Sequence, residues 1–179
     1  MRVLVTTRNC PSDVIFVVDA SRRVAASDYA RVRTFLSQLV GRLGRRIDSG
    51  NMRVGLLTYA TTIGTRYNLN SYTSVASVIA AISALSYTGG QTNTAAALAY
   101  VRRSMLTSAA GDRRHATNVI VVFTDGRSTD STTTQVCVTG VALPKDNEAS
   151  AEVTTAYGGT FTSCSARLSS QSRYRSLNQ

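Results

Sequence analysis

The sequence predicts an α/β fold: a doubly wound, mostly parallel open sheet with one antiparallel edge strand, helices on both faces and a shortened C-terminal third. Three observations predict it. Val14 to Val18 and Val119 to Thr124 are continuous, β-branched apolar runs of the kind that a parallel sheet buries on both faces. Segments with apolar residues at three- and four-residue spacing stand between the strand-like runs. Strand and helix patterns then alternate along the chain, as crossover connections require.

Val14 to Val18 reads as the central strand. Ser27 and Asp28 are expected to cap a helix whose Val32, Phe35, Leu36, Leu39, Val40 and Leu43 line one face. Arg53 to Tyr59 reads as the second strand, and Thr62 to Leu69 as an edge strand beside it, because it alternates with polar residues. Val75, Val78, Ile79, Ile82 and Leu85 mark another amphipathic helix. After a loop at Gly89 and Gly90, Thr94 to Leu106 is Ala-rich and carries Leu98, Val101 and Met105 at helical spacing. Val119 to Thr124 is the next strand. Beyond it, Ser128 to Thr134 is nearly all Ser, Thr and Asp and leaves about ten residues before Val136, fewer than the dozen or more of a helical crossover. Val136 to Leu143 is still expected as a strand, Asn147 to Tyr157 as a modest helix, and Thr160 to Cys164 as an edge strand after the Gly158-Gly159 turn. Residues 166–179 are expected to form a frayed or partly helical tail.

A length of 179 residues with 43% apolar residues fits one globular domain. No apolar run reaches the roughly 18 residues of a membrane span, and Met1 to Thr7 is too short and interrupted to read as a secretory signal. Lys and Arg number 20 against 10 Asp and Glu, and all but one of the 20 are Arg. The positive field favours anionic partners such as sulfated glycans, acidic proteins, nucleic acid or anionic lipid. Arg31, Arg33, Arg42, Arg45 and Arg46, with Arg102, Arg103, Arg113 and Arg114, are expected on helical segments as solvated faces. Cys10, Cys137 and Cys164 have no zinc-binding spacing. A Cys10–Cys164 disulfide joining the two ends is left open, and Cys137 reads as a small buried core residue.

Three strand ends carry candidate ligands: Asp19 with Ser21, the Gly-Gly-Gln-Thr run ending at Thr92, and Asp125. In an open parallel sheet, ligands collect beyond the carboxyl ends of the strands where strand order reverses, and there Asp19 and Asp125 would face one another.

These runs carry a resemblance. Asp-Val-Ile-Phe-Val-Val-Asp-Ala-Ser (13–21), Met-Arg-Val-Gly-Leu-Leu-Thr-Tyr-Ala (52–60), Gly-Gly-Gln-Thr-Asn-Thr-Ala-Ala-Ala-Leu (89–98) and Val-Ile-Val-Val-Phe-Thr-Asp-Gly (119–126) stand in the order of a von Willebrand factor type A domain. The chain is similar, from residue 10 to residue 165, to such domains of collagens, matrilins and other matrix proteins. The resemblance implies a metal-ion-dependent adhesion site that binds a divalent cation, usually magnesium, with a partner carboxylate completing the coordination. Its Asp-x-Ser-x-Ser motif maps onto Asp19, Ser21 and position 23, with Thr92 and Asp125 as the remaining ligands. Oxygen donors in this number suit a hard ion that keeps several waters. Position 23 departs from the pattern. Arg23 has donors and no acceptor, so it either adds an inward positive charge or replaces the ion by a bidentate pair with Asp19 or Asp125.

Each residue has a plainer reading. Asp19 and Asp125 fit as caps of the turns or helices after their strands, and Thr92 as a cap for the helix at Thr94. Gly89 and Gly90 read as residues permitting a tight turn. The sole histidine, His115, reads as a surface loop residue. Enzyme readings lack support. Ser21 stands where an aspartyl-phosphate phosphatase would carry a second carboxylate, and neither phosphate-binding glycine motif nor a Ser/His/Asp set is present.

The expected function is therefore a non-catalytic adhesion module, extracellular by resemblance, binding a matrix or cell-surface protein such as collagen through the cation-bearing face. No nucleic-acid partner is expected. The alternative is metal-independent binding of a sulfated glycan or other polyanion through the arginine-bearing helices.

Overall fold

The computed structural model describes residues 11–125, 128–129, 151–157 and 160–166, the last two segments as backbone. Six strands form one sheet: β1 (Ser12–Asp19), β2 (Met52–Tyr59), β3 (Ile63–Tyr67), β4 (Thr117–Phe123), β5 (Ala151–Tyr157) and β6 (Thr160–Ala166). Their order across the sheet is β3-β2-β1-β4-β5-β6. The pairs β1 with β2, β1 with β4 and β4 with β5 are parallel. β3 is the expected antiparallel edge strand, and β6 adds an antiparallel pair at the other edge.

β1 lies at the centre because both of its faces are apolar. Val14, Phe16 and Val18 pack on one side with Tyr29, Leu36 and Val40 of helix α1 (Ala26–Arg42) and Val78 and Ile82 of α3 (Val75–Ser83). Ile15 and Val17 pack on the other side with Leu57, Ile120 and Val122 and with Ala97 and Leu98 of α4 (Thr94–Tyr100). A short helix, α2 (Gly44–Asp48), follows α1. These two cores cover both faces of the sheet at β1, β2 and β4, so the near-continuous hydrophobic strands there are explained by burial on each side.

Several expectations change in detail. The cap of α1 is Ala25, with no side-chain hydrogen bond, and Ser27 and Asp28 lie inside the first turn. There Asp28 accepts from Arg31 at 2.7 Å and its charge suits the helix N-terminus. The helix from Thr94 is regular only to Tyr100, and Val101–Met105 continues as a wider π-type turn. The helix expected over Asn147 to Tyr157 is overturned, because Ala151–Tyr157 is strand β5. Val153, Thr154 and Thr155 are consecutive β-branched residues, which lose side-chain freedom in a helix, and β4 offers them a parallel partner. The short connection after Asp125 is corrected with it, since residues 124–150 separate β4 from its parallel neighbour. The strand expected over Val136 to Leu143, Cys137, Cys10 and the tail beyond Ala166 lie outside the described residues.

The arginines divide. Arg31, Arg42, Arg45, Arg46, Arg102, Arg103 and Arg114 are exposed, whereas Arg33 is half-buried and donates to the Leu85 carbonyl at 2.7 Å. Arg113 stands in the turn before β4, where it pairs with Asp13. His115 is exposed in the same turn. No helix among the described residues is long and apolar enough to cross a membrane.

Candidate functional site

Strand order reverses between β1 and β4, whose successors in the chain lie on opposite sides of the pair. The register that places Val18 beside Phe123 sets Asp19 next to Thr124. The Thr124 hydroxyl donates to Asp19 Oδ2 at 2.8 Å, and the Ser21 backbone N–H donates to Asp19 Oδ1 at 2.9 Å. Asp19 is 1% exposed. Capping of the following turn is thus part of its role, yet each oxygen keeps acceptor capacity after one bond.

Ser21 and Thr92 complete the floor, and both are fully buried. Their hydroxyls share a hydrogen bond of 2.7 Å. Two backbone bonds bring their segments together: Gly89 N–H donates to the Ala20 carbonyl at 2.8 Å, and Arg22 N–H to the Gly90 carbonyl at 3.1 Å. Thr92 does not cap α4. Asn93 does so, accepting from Ala96 N–H at 3.1 Å. The chain after β4 closes over Thr92, whose N–H donates to Thr129 Oγ1 at 3.2 Å while its carbonyl accepts from Thr129 N–H at 2.8 Å.

Asp125 stands at the rim, with its side chain 28% exposed. Arg23 reaches it through one contact, Nε to Oδ2 at 3.3 Å. Of the two arrangements the sequence left open for Arg23, a pairing with Asp125 is present, through Nε alone and not as a bidentate pair. Tyr59 lies close to both carboxylates and its hydroxyl bonds to Thr94 Oγ1 at 3.1 Å. Burial, followed by the negative charge of Asp19, pushes its phenol up to about 12.

Thr124, Thr129 and Tyr59 are partners that the sequence reading did not single out. Thr124 was within reach, since a residue level with Asp19 on the neighbouring parallel strand must adjoin it. Thr129 gave no local signal, because its contact with Thr92 spans 37 residues.

The donor set consists of carboxylate and hydroxyl oxygens. Among the described residues no group of three or more His, Cys, Asp and Glu side chains is placed to hold a metal. The oxygens of Asp19, Ser21 and Thr92 suit a hard divalent cation, and Asp125 would have to be shared with Arg23.

Residues 13–153 match the family model for the von Willebrand factor type A domain. The collagen alpha-1(XX) chain of mouse is 36% identical over 124 residues, which cover 69% of this chain and 9% of that protein. Mouse matrilin-1 is 35% identical over 127 residues, covering 69% of this chain and 25% of that one. The chain thus spans a quarter or less of these relatives. Proximal thread matrix protein 1 of the mussel byssus has a similar fold, with a TM-score of 0.71 at 20% identity over 82% of this chain and 38% of that one. A second structure of that mussel protein, at TM-score 0.67 and 17% identity over 82% of this chain and 37% of that chain, has zinc in its MIDAS motif.

Proposed function

The chain belongs to the von Willebrand factor type A family, and from that premise we propose that it is a non-catalytic adhesion module of the extracellular matrix. Its ligand-binding face is the end of the sheet that carries Asp19, Ser21, Thr92 and Asp125. The observation that carries this reading is the 2.7 Å approach of the Ser21 and Thr92 hydroxyls beside the buried Asp19 carboxylate, at the point where strand order reverses. A fold can host many activities, and the residues of the site are what distinguish among them.

Asp19, Ser21, Thr92 and Asp125 are the residues that would hold a divalent cation, with magnesium the first candidate from the hardness of the donors. A bound ion would supply a positive charge with exchangeable positions for an oxygen ligand. The protein's own part is to orient the donors. Ser21 N–H and Thr124 Oγ1 fix the two oxygens of Asp19, and Thr129 fixes the backbone of Thr92. The partner class is a matrix or cell-surface protein, with collagen the first to test because collagen chains are among the relatives.

The test is surface plasmon resonance over immobilised collagens and matrilins, in magnesium and in chelator. Magnesium should tighten binding, and Asp19→Ala should weaken it about tenfold or more, a loss of about 1.4 kcal/mol. Equal binding by the wild-type and Asp19→Ala proteins would remove this face from the interaction.

A second reading is favoured by the exposure of Arg31, Arg42, Arg45 and Arg46 on α1 and α2 and by the net charge of +10. These helices would bind a sulfated glycan without metal. Counterion release then predicts a steep loss of heparin affinity with salt and indifference to chelator.

A further inference from the structure

Arg23 is held on a fixed turn. Val24 N–H donates to the Ser21 carbonyl at 3.1 Å, and the Tyr87 hydroxyl bridges the carbonyls of Ser21 and Val24 at 3.2 and 3.0 Å. Together with the bond from Arg22 N–H to Gly90, these contacts fix the backbone from which the side chain extends. The side chain is 43% exposed and is tethered to Asp125 through Nε alone. Among the described residues, Nη1 and Nη2 have no hydrogen-bond partner. The result is a guanidinium steered by its inner nitrogen, with its outer pair of donors unfilled.

We propose that Arg23 stands in for a cation at this face, its Nη donors taking a side-chain carboxylate from an acidic partner without a divalent ion. The inference rests on the reading that this face binds the ligand. A guanidinium presents paired N–H donors that match the two oxygens of a carboxylate. The local charge permits the approach. Arg22 and Arg23 together balance Asp19 and Asp125, so an incoming carboxylate meets no net negative field, and the overall charge of +10 steers acidic partners toward the protein. With serine at position 23 the same four positions would carry a net negative charge, and an anion would need a cation to bridge it.

The probe is an acetylated, amidated hexaglutamate peptide, which offers side-chain carboxylates only, titrated into the labelled chain while the arginine Nε–H resonances are followed. In chelator, the wild-type protein should bind with a shift of the Arg23 resonance. Arg23→Ser should bind at least tenfold more weakly in chelator and recover in magnesium, whereas Arg22→Ser, which lowers the local charge equally but keeps the Nη donors of Arg23, should lose clearly less than Arg23→Ser. The proposal is overturned if the wild-type protein leaves the Arg23 resonance unmoved in chelator, or if Arg23→Ser binds equally well there. Peptide binding by wild type only in magnesium would sink the stand-in role while leaving the adhesion face intact. Failure to bind both the peptide and the immobilised matrix proteins, with and without magnesium, would remove both.

Discussion

Ser21 Oγ and Thr92 Oγ1 lie 2.7 Å apart, joined by a hydrogen bond across 71 residues of chain. The bond uses one proton, so both oxygens retain lone pairs, and their burial keeps bulk water from competing for them. Neither residue is placed by its own strand or helix alone. Ser21 follows β1, Thr92 precedes α4, and the backbone bonds from Gly89 to Ala20 and from Arg22 to Gly90 zip the two loops together. Asp125 approaches from a third segment and is the donor already engaged, through Arg23.

Because Arg23 occupies Asp125, Arg23→Ser should strengthen magnesium binding. The change removes a cation, releases Asp125 from the guanidinium and places a hydroxyl at the third motif position. Both partners are partly exposed, so solvent screens the ion pair and the guanidinium can be displaced rather than being locked in place. Isothermal titration calorimetry should show a gain of roughly threefold to tenfold in affinity. Equal or weaker affinity in the variant would mean that Arg23 and the ion do not compete.

Gly89 and Gly90 should respond differently to alanine. Both have positive φ, 69° and 91°, which costs an L-residue roughly 1–2 kcal/mol. At Gly89 an added Cβ meets nothing within 4 Å, whereas at Gly90 it would stand 2.6 Å from Thr61 Oγ1. That hydroxyl also accepts from Gln91 N–H at 2.9 Å, so Gly90→Ala must move the loop that carries Thr92. Chemical denaturation should show a larger loss for Gly90→Ala than for Gly89→Ala, and only the Gly90 variant should lose magnesium or ligand affinity. Equal effects would mean that the loop yields without disturbing Thr92.

The central strands, the first helix and the facing of Asp19 toward the β4 terminus were legible because apolar periodicity reports burial directly, and burial on two faces permits few topologies. Ser21 and Thr92 stood out as companions from their own runs, and the resemblance added their place in one ligand set. Local reading failed where a tertiary partner decided the outcome. The Ala151–Tyr157 segment becomes a strand because β4 has an open parallel side, and Arg113 leaves the solvated set because Asp13 waits beneath it. A pair of Arg23 with Asp19 or Asp125 was one of two arrangements open in the sequence, and the single-nitrogen geometry with Asp125 depends on a turn pinned by Tyr87, 63 to 66 residues away.

Tyr59 links the site to alkaline stability. Its phenol, ordinarily near 10, is pushed up to about 12 by burial first and by the negative charge of Asp19 next, while hydrogen bonds with Thr94 and Thr124 oppose the rise. Between those pH values the folded chain keeps a proton that the unfolded chain releases. The stability this group contributes is complete below about pH 10, falls as pH rises toward 12 and is lost beyond it. Two units correspond to at most about 3 kcal/mol. Urea unfolding from pH 9 to 12 should show a shallower decline for Tyr59→Phe than for wild type, against a background from Tyr29 and Tyr67, which burial also raises. Identical slopes would show that Tyr59 ionises freely.

At the other end of β1, Asp13 and Arg113 form the pair whose loss should cost most. Asp13 is fully buried, and its carboxylate accepts from Arg113 Nη2 at 2.7 Å, from Nε at 2.9 Å and from the backbone N–H at 2.9 Å. The same guanidinium donates to the carbonyls of Gly50 at 2.7 Å and Ser12 at 3.0 Å, so it joins the start of β1 to the turns before β2 and β4. Arg113→Met removes these bonds and leaves a buried carboxylate with one donor, a change expected to cost roughly 3–5 kcal/mol in denaturant unfolding. Replacing Asp13 by Leu in that variant should recover part of the loss, because the unpaired charge is the main penalty. Six residues along the strand, about 20 Å, separate Asp13 from Asp19. The folded fraction of Arg113→Met should therefore bind magnesium and ligand as wild type does, and a loss of affinity matching the loss of stability would show that the two ends of β1 are coupled.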